Sequence, residues 1–244
     1  MKKINYMIKN FLIKVQKKND VWEYKKIFHF LRRNFDDKNL ISILDVGSGN
    51  CDFEFFLSKK LNNVIFYCVD INNDLVKLAL SNGFKAIKAN ILELPFENNL
   101  FDVVHCSHVI EHLYYPDIVK AIDELVRVTK PGGFIIIRSP LWANHRFFHD
   151  IDHIRPYPPQ AILNYFNNLQ QQKRNKVPIK KVAYWKTRPY LELDPNQHDS
   201  YLIKILNLFF KISWYFFKFP YGRYNCYGLI LTKLSEDTSQ EEKQ

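Results

Sequence analysis

From Ile41 to Arg138, short apolar runs alternate with stretches whose apolar residues recur every three or four positions. The runs Ile41–Val46, Val64–Asp70, Lys85–Ala89, Phe101–Cys106 and Phe134–Arg138 predict strands, and their near-continuous hydrophobicity predicts burial on both faces. Phe53–Leu61, Asn73–Asn82 and Asp117–Val128 carry the helical period and predict helices. Such alternation is what a parallel sheet with helices on both faces produces. Its right-handed crossovers carry every loop that follows a strand to one edge. Gly47, Asp70, Asn90 and Cys106–His108 are therefore expected to converge there, where ligands of open α/β sheets bind.

The flanks carry other patterns. Ile4, Ile8, Phe11, Leu12 and Val15 recur at helical spacing between lysines. Such a helix can lie on a membrane or pack on the domain, and packing is the simpler reading. Asp20 reads as an N-cap with Glu23 completing a capping box, before a second helix through Trp22, Ile27, Phe30 and Leu31. After Pro140 come a histidine-rich insertion, Trp142–Pro159, a helix over Gln160–Gln171 and a strand through Ile179–Tyr184. A last strand is expected at Cys226–Leu234. Tyr201–Phe219 is aromatic and apolar, yet Lys204, Asn207, Lys211 and Lys218 fall near one helical face. A lysine near the centre of a bilayer costs roughly 2.5–3.5 kcal/mol. The segment therefore reads either as an interfacial helix facing anionic headgroups or as a helix packed on the sheet or on a partner.

The most informative stretch is Ile41–Asp52. Its apolar strand runs straight into Gly47-Ser48-Gly49, and a helix follows at once. Glycines there permit a tight turn and close approach of backbone to a ligand. The next strand ends in Asp70, about 20 residues on, where a carboxylate can accept hydrogen bonds from both hydroxyls of a ribose. Leu44-Asp45-Val46-Gly47-Ser48-Gly49 and Val69-Asp70 resemble the first two motifs of the class I S-adenosylmethionine (SAM)-dependent methyltransferases, of the type 11 or ubiquinone-biosynthesis kind. Asn90–Phe96, Phe101–Val104, Val109–Leu113 and Pro131-Gly132-Gly133 resemble later motifs of that family in the same order.

The resemblance covers about Ile41–Pro140. It implies a Rossmann-like, doubly wound α/β fold with a mostly parallel seven-stranded sheet, closed by an antiparallel strand pair. Residues 1–40 would form a helical cover, 41–234 the SAM-binding domain with its insertion at 142–159 and its amphipathic helix at 201–219, and 235–244 a polar tail. Asp45, Gly47, Ser48 and Gly49 would face the amino-acid part of SAM, Asp70 the ribose, Asn90 and Ile91 the adenine, with Ile71 and Cys106 also at the cofactor. Where the family often has a third glycine, this chain has Cys51, whose side chain is expected to narrow the approach to the cofactor.

Composition bounds the rest. A 244-residue chain with 47% hydrophobic residues suits one α/β domain and excludes a disordered protein. Its 4 cysteines form no CxxC pair, which excludes a zinc-finger framework and fits a reducing, cytoplasmic setting. Met1–Lys18 is basic but broken by polar residues and reads as no signal peptide. The net charge of +10 suits an anionic membrane surface, placing the protein peripherally on its inner face, or nucleic acid, or general solvation by lysine. No RNA-binding pattern is visible, which counts against nucleic acid.

On the acceptor side, His108, Glu111, His112 and His153 are the candidate catalytic residues, because both segments follow strands that end at the cofactor edge. A hydroxyl acceptor needs a base or a metal, and imidazole titrates near neutrality. The spelling His108-Val109-Ile110-Glu111-His112 also matches a zinc-protease pattern, but that needs a long helix and this segment leaves a buried strand. Some methyltransferases of this fold, those acting on RNA ribose ends and on polyprenyl rings, hold a divalent metal with a Glu-His pair and a later histidine. Glu111, His112 and His153 are the candidate ligands here, although the metal-free reading is favoured. His145 and His149 share the insertion with His153. The expected function is SAM-dependent O-methylation of a small-molecule, glycan or lipid-linked acceptor. The alternatives are an RNA ribose methyltransferase and a non-catalytic membrane-surface protein on a SAM-binding scaffold.

Overall fold

A computed structural model describes residues 20–36, 38–141, 147–148, 150–166, 177–189, 191, 193, 201–219 and 222–235. The elements in chain order are helix α1 over 20–34, then β1 (Ile41–Val46), α2 (Asp52–Ser58), β2 (Val64–Asp70), α3 (Asn73–Ser81) and β3 (Lys85–Lys88). There follow β4 (Phe101–Ser107), a 3₁₀ turn (Ile110–His112), α4 (Asp117–Val128), β5 (Thr129–Pro140) and α5 (Pro159–Phe166). The chain then forms β6 (Ile179–Thr187), α6 (Tyr201–Phe217) and β7 (Cys226–Lys233).

The strands form one seven-stranded sheet in the order β3-β2-β1-β4-β5-β7-β6. β1 pairs in parallel with β2 and β4, and β4 with β5. β7 runs antiparallel between β5 and β6, so the reversal expected at the end of the sheet resides in β7 alone. The strand order reverses direction between β1 and β4, which opens the crevice at their carboxyl ends.

Alternating side chains build two cores. Leu44, Val46, Val104, Cys106, Ile135 and Ile137 face α4 and α5. Ile43, Phe66, Val103, Ile136 and Ile230 face α1 and α2, whose Ile27, Leu31, Phe53 and Leu57 complete that layer. α4 is a 12-residue amphipathic helix that buries Ile118, Ala121, Ile122, Leu125 and Val126, the 3.6-residue stripe its sequence predicts.

Several boundaries differ from the sequence reading. β3 ends at Lys88 and α2 at Ser58. β5 begins at Thr129, five residues early, because Phe101 pairs with Thr129 while Val103 pairs with Phe134. The residues between bulge out, and Gly132 adopts φ +77° in that turn. Asp20 is itself helical and does not cap α1. Its carboxylate lies 3.5 Å from Arg138, while Glu23, pointing inward, pairs with buried Arg138 and accepts from Thr187. These contacts tie α1 to β5 and β6. The expected N-terminal amphipathic helix, the polar tail, His145, His149 and the far half of the helix predicted over Gln160–Gln171 lie outside the described residues.

Candidate active site

β1 ends beneath a glycine turn held to the sheet by the Gly47 and Ser48 amides, both donating to the Val69 carbonyl at 2.7 and 3.2 Å. Gly47 sits at φ +77°, and an added Cβ would meet Val109 Cγ2 at 2.3 Å, so both conformation and space demand glycine there. Cys51 adopts φ 59°, the left-handed region, where the family often has glycine. Its thiol lies against the turn and donates to the Gly49 carbonyl at 4.0 Å. The side chain is wholly buried in a cluster with Cys68 and Ala79. Burial and the neighbouring Glu54 push the thiol up to about 12, which leaves it unreactive.

Asp70 closes β2. Its carboxylate accepts from the Gly49 and Asn72 amides at 3.1 and 2.8 Å, which links the strand end to the glycine turn. Beyond it lies a cleft of about 680 Å³, lined on one side by Gly47, Asp70, Ile71, Asn90 and Ile91 and on the other by His108, Val109, His112, Asp152 and Ile154. Asn90 Oδ1 accepts from the Leu92 amide at 3.0 Å, which shapes that loop. Residues as far apart in sequence as Gly47 and Ile154 thus share one space, because parallel topology brings their loops to one edge.

Asp45, Ser48 and Cys106 stand differently. Cys106 is fully buried in the core with Leu44 and Ile137, so its thiol does not face the cleft. Ser48 is buried beside the turn, and its Oγ has no partner. Asp45 lies under the turn and accepts from His105 Nδ1 at 2.7 Å. His105 stacks on Phe53 at 4.0 Å between ring centroids. Burial lowers His105 to about 4, so its imidazole is neutral, donates through Nδ1 and leaves Nε2 buried without a partner.

Glu54, wholly buried, faces the same place and accepts from Cys68 Sγ at 3.2 Å. Burial first, then the charge of Asp45, raises Glu54; burial and the charge of Asp70 raise Asp45, while a hydrogen bond from Glu54 opposes the rise. Two bare carboxylates cannot share so dry a site, so Glu54 keeps its proton next to Asp45. Neither Glu54 nor His105 was among the residues singled out in the sequence. The available signal was a polar residue on the inward-facing parity of a buried run, as His105 is between Val103 and Ser107.

On the opposite wall, His108 follows β4 at φ 55°. Its Nδ1 lies 3.2 Å from Glu111 Oε1. Desolvation works against the imidazolium, but the hydrogen bond and charge of Glu111, with the charge of Asp20, outweigh it and raise His108 above its ordinary range. Glu111 is fully buried and also accepts from Ser139 Oγ at 3.1 Å. His112 and His153 stack loosely, 4.9 Å between centroids. Each donates Nδ1–H to a carbonyl, His112 to Asp152 and His153 to Phe147, both at 2.8 Å. Those bonds orient the two rings, and His153 Nε2 lies 3.7 Å from Asp150 Oδ2. The four acceptor-side residues therefore cluster, and ligand atoms of Glu111, His112 and His153 lie within 4.8 Å of one another, but only His108 and His112 line the cleft, with Glu111 and His153 behind them.

Residues 44–137 match the family model of a methyltransferase domain. An uncharacterized protein of Methanocaldococcus jannaschii is 30% identical over 172 residues, 64% of this chain and 73% of that protein. The chain belongs to the class I SAM-dependent methyltransferases. SAM is thus the cofactor of this methyltransferase. Named relatives include the ubiquinone/menaquinone biosynthesis C-methyltransferase UbiE of Rickettsia prowazekii, 38% identical over 38% of this chain and 41% of the relative. The tRNA (carboxymethyluridine(34)-5-O)-methyltransferase of Arabidopsis thaliana is 36% identical over 41% of this chain and 24% of the relative. The chain thus spans less than half the length of these named relatives. Among solved structures, a SAM-dependent methyltransferase from Archaeoglobus fulgidus has the same fold, with a TM-score of 0.52 at 22% identity over 86% of this chain and 94% of that one.

Proposed function

We propose that the methyltransferase O-methylates a small-molecule, glycan or lipid-linked acceptor in the cleft between Asp70 and His108. The observation that carries this reading is the shared cleft, which puts the nucleoside-type wall of Asp70, Asn90 and Ile91 opposite His108 and His112. When bound, SAM supplies an electrophilic methyl group on a sulfonium. The fit is supported by the glycine turn, where Gly47 and Gly49 take φ +77° and +52° and no heavy atom stands within 4 Å of a Cβ built at Gly49. The unpartnered Ser48 Oγ is a further polar group at that turn. In this reading Asp70 accepts from the ribose hydroxyls, Asn90 and the Ile91 backbone meet the adenine, and the Gly47–Gly49 backbone with Asp45 below it receives the amino-acid part.

Chemistry then rests on position and proton transfer. His108, when neutral, takes the proton of the acceptor hydroxyl, and Glu111 stabilises the imidazolium that results. His112, held through its Nδ1 atom, orients the acceptor with Nε2, and His153 stands behind it. Glu111, His112 and His153 could also hold a divalent ion that lowers the acceptor's pKa. Both Glu111 oxygens already accept hydrogen bonds, from His108 and Ser139, which favours the metal-free form. RNA as acceptor is the second reading, and the similarity to a tRNA methyltransferase with the charge of +10 supports it.

The test is calorimetry of SAM binding with wild type and Asp70→Ala, followed by detection of S-adenosylhomocysteine in the presence of candidate acceptors. Loss of two charge-assisted hydrogen bonds, about 1.5–3 kcal/mol each before water replaces them, should weaken binding at least tenfold. Equal affinity in the variant would overturn the assignment of the ribose site. A wild type that binds SAM yet methylates no acceptor class would favour the non-catalytic scaffold.

A further inference from the structure

α6 carries two apolar faces: Ile203, Leu206, Phe210 and Trp214 are half-buried or buried against the protein, and a second apolar face is left in solvent. Leu202, Ile205, Phe209, Ile212 and Phe216 follow one another at steps of three and four, and so share one face. All five point outward, between 40% and 66% exposed. Phe217 and Phe219 extend the apolar surface past the helix end at 79% and 67% exposed. The face turned to the protein is the one that carries Asn207 and Trp214. Asn207 is buried, accepts from the Leu193 amide at 2.8 Å and donates to the Leu193 carbonyl at 2.9 Å, and Trp214 is 2% exposed. An ordinary surface helix buries its apolar stripe. A contiguous apolar stripe about 20 Å long left in solvent marks a surface made for a partner.

Charge identifies the partner. Residues 186–223 carry six lysines or arginines, Lys204, Lys211 and Lys218 among them, against three carboxylates, Glu192, Asp194 and Asp199. Exposed Arg188 and Arg223 stand at the roots of the loop that carries α6. A second copy of this chain would set these cations against their own kind. An anionic lipid surface complements them while it takes up the aromatic face, as interfacial helices do. Crossing the bilayer is not involved, since no helix among the described residues is long and apolar enough.

Topology relates this face to the cleft. α6 leaves from the end of β6 and returns at the start of β7, where Thr187 and Pro140 both pair with Cys226. Pro140 ends β5, so α6 is rooted at the same sheet edge as the cleft. The loops of that edge add further exposed apolar groups, Tyr114, Tyr115, Phe148 and Ile151, the last of them lining the cleft.

We propose that α6 docks the methyltransferase on an anionic bilayer through its outward apolar face, with the cleft turned toward the headgroups, so that the acceptor is an amphiphile resident in that surface. The acceptor half of this statement rests on the functional reading above, whereas the docking half does not.

The test is co-sedimentation of the full chain with vesicles of phosphatidylcholine alone and with 30 mol% phosphatidylglycerol, an amount of about a third being ample for an electrostatic partner. Binding is expected only to the anionic vesicles, and should weaken with salt. Lys204→Glu with Lys211→Glu should reduce partitioning by roughly tenfold or more. Phe209→Glu with Phe216→Glu should abolish it. SAM affinity should be unchanged in both variants, which shows that they are folded. Wild type that ignores anionic vesicles, or variants that bind as well as wild type, would overturn the proposal. So would a dimer in sedimentation equilibrium that Phe209→Glu with Phe216→Glu dissociates, because α6 would then face a second copy. Failure of wild type to bind SAM would instead strike the functional reading and leave the docking result standing. Binding to vesicles together with methylation of water-soluble acceptors only would overturn the acceptor half.

Discussion

Glu54→Gln offers a direct test of the proton buried beneath the glycine turn. Glutamine keeps the shape of the side chain and an oxygen to accept from the Cys68 thiol, but it cannot ionise. In the wild type, burial and the charge of Asp45 raise Glu54 from 4.5 to about 9. The sign follows from linkage. The contribution of such a raised group is complete below its unfolded value and is lost as pH rises toward its folded value, because the unfolded chain releases a proton that the folded chain keeps. The window is thus pH 4.5 to 9. At about 1.4 kcal/mol per pH unit, the wild type should lose on the order of 4 kcal/mol between pH 5 and pH 8 through this group alone. The variant lacks that loss. Urea unfolding of both proteins at pH 5 and pH 8 measures it. The two should be within about 1 kcal/mol at pH 5, with the variant clearly the more stable at pH 8. Parallel pH profiles would mean that Glu54 is ionised in the folded state, and the account of how Asp45 holds its charge would fail with it.

Three further outcomes are expected. If His108 is the base, turnover should rise with pH through a value above the ordinary imidazole range; Glu111→Gln, which removes the charge that raises His108, should move that limb to lower pH. His153→Ala should cut turnover by roughly ten- to a hundredfold with SAM affinity intact, whereas complete loss on adding a chelator, with recovery on adding a divalent ion, would favour the metal form of the site. Gly228→Ala should destabilise the sheet by about 1–3 kcal/mol in thermal or urea unfolding, because a Cβ there would meet the Trp185 ring at 2.0 Å.

The sequence by itself determined the sheet and its ligand edge. Period-two and period-3.6 patterns are set by which side of each element faces apolar neighbours, and in β1, β2 and α4 every residue of the element follows one rule, so both boundaries were legible. Gly47 and Asp70 were legible because a backbone conformation and a strand end each restrict residue type locally. Tertiary structure alone decided what depends on contacts between distant positions. The early start of β5 is a pairing with Phe101, and pairing leaves no mark in the period of one strand. The buried acid–imidazole group of Asp45, Glu54 and His105 comes from three elements, and each member alone reads as an ordinary polar residue. Cys51 showed only that a glycine was missing; the direction of its thiol, down into the space beside Cys68, follows from the left-handed backbone at φ 59°. The lysine stripe of α6 was visible in the sequence, but amphipathicity does not say which face meets the protein. In the fold Asn207 binds both backbone groups of Leu193 and Trp214 is buried beside it, which leaves the face of Leu202, Phe209 and Phe216 outward.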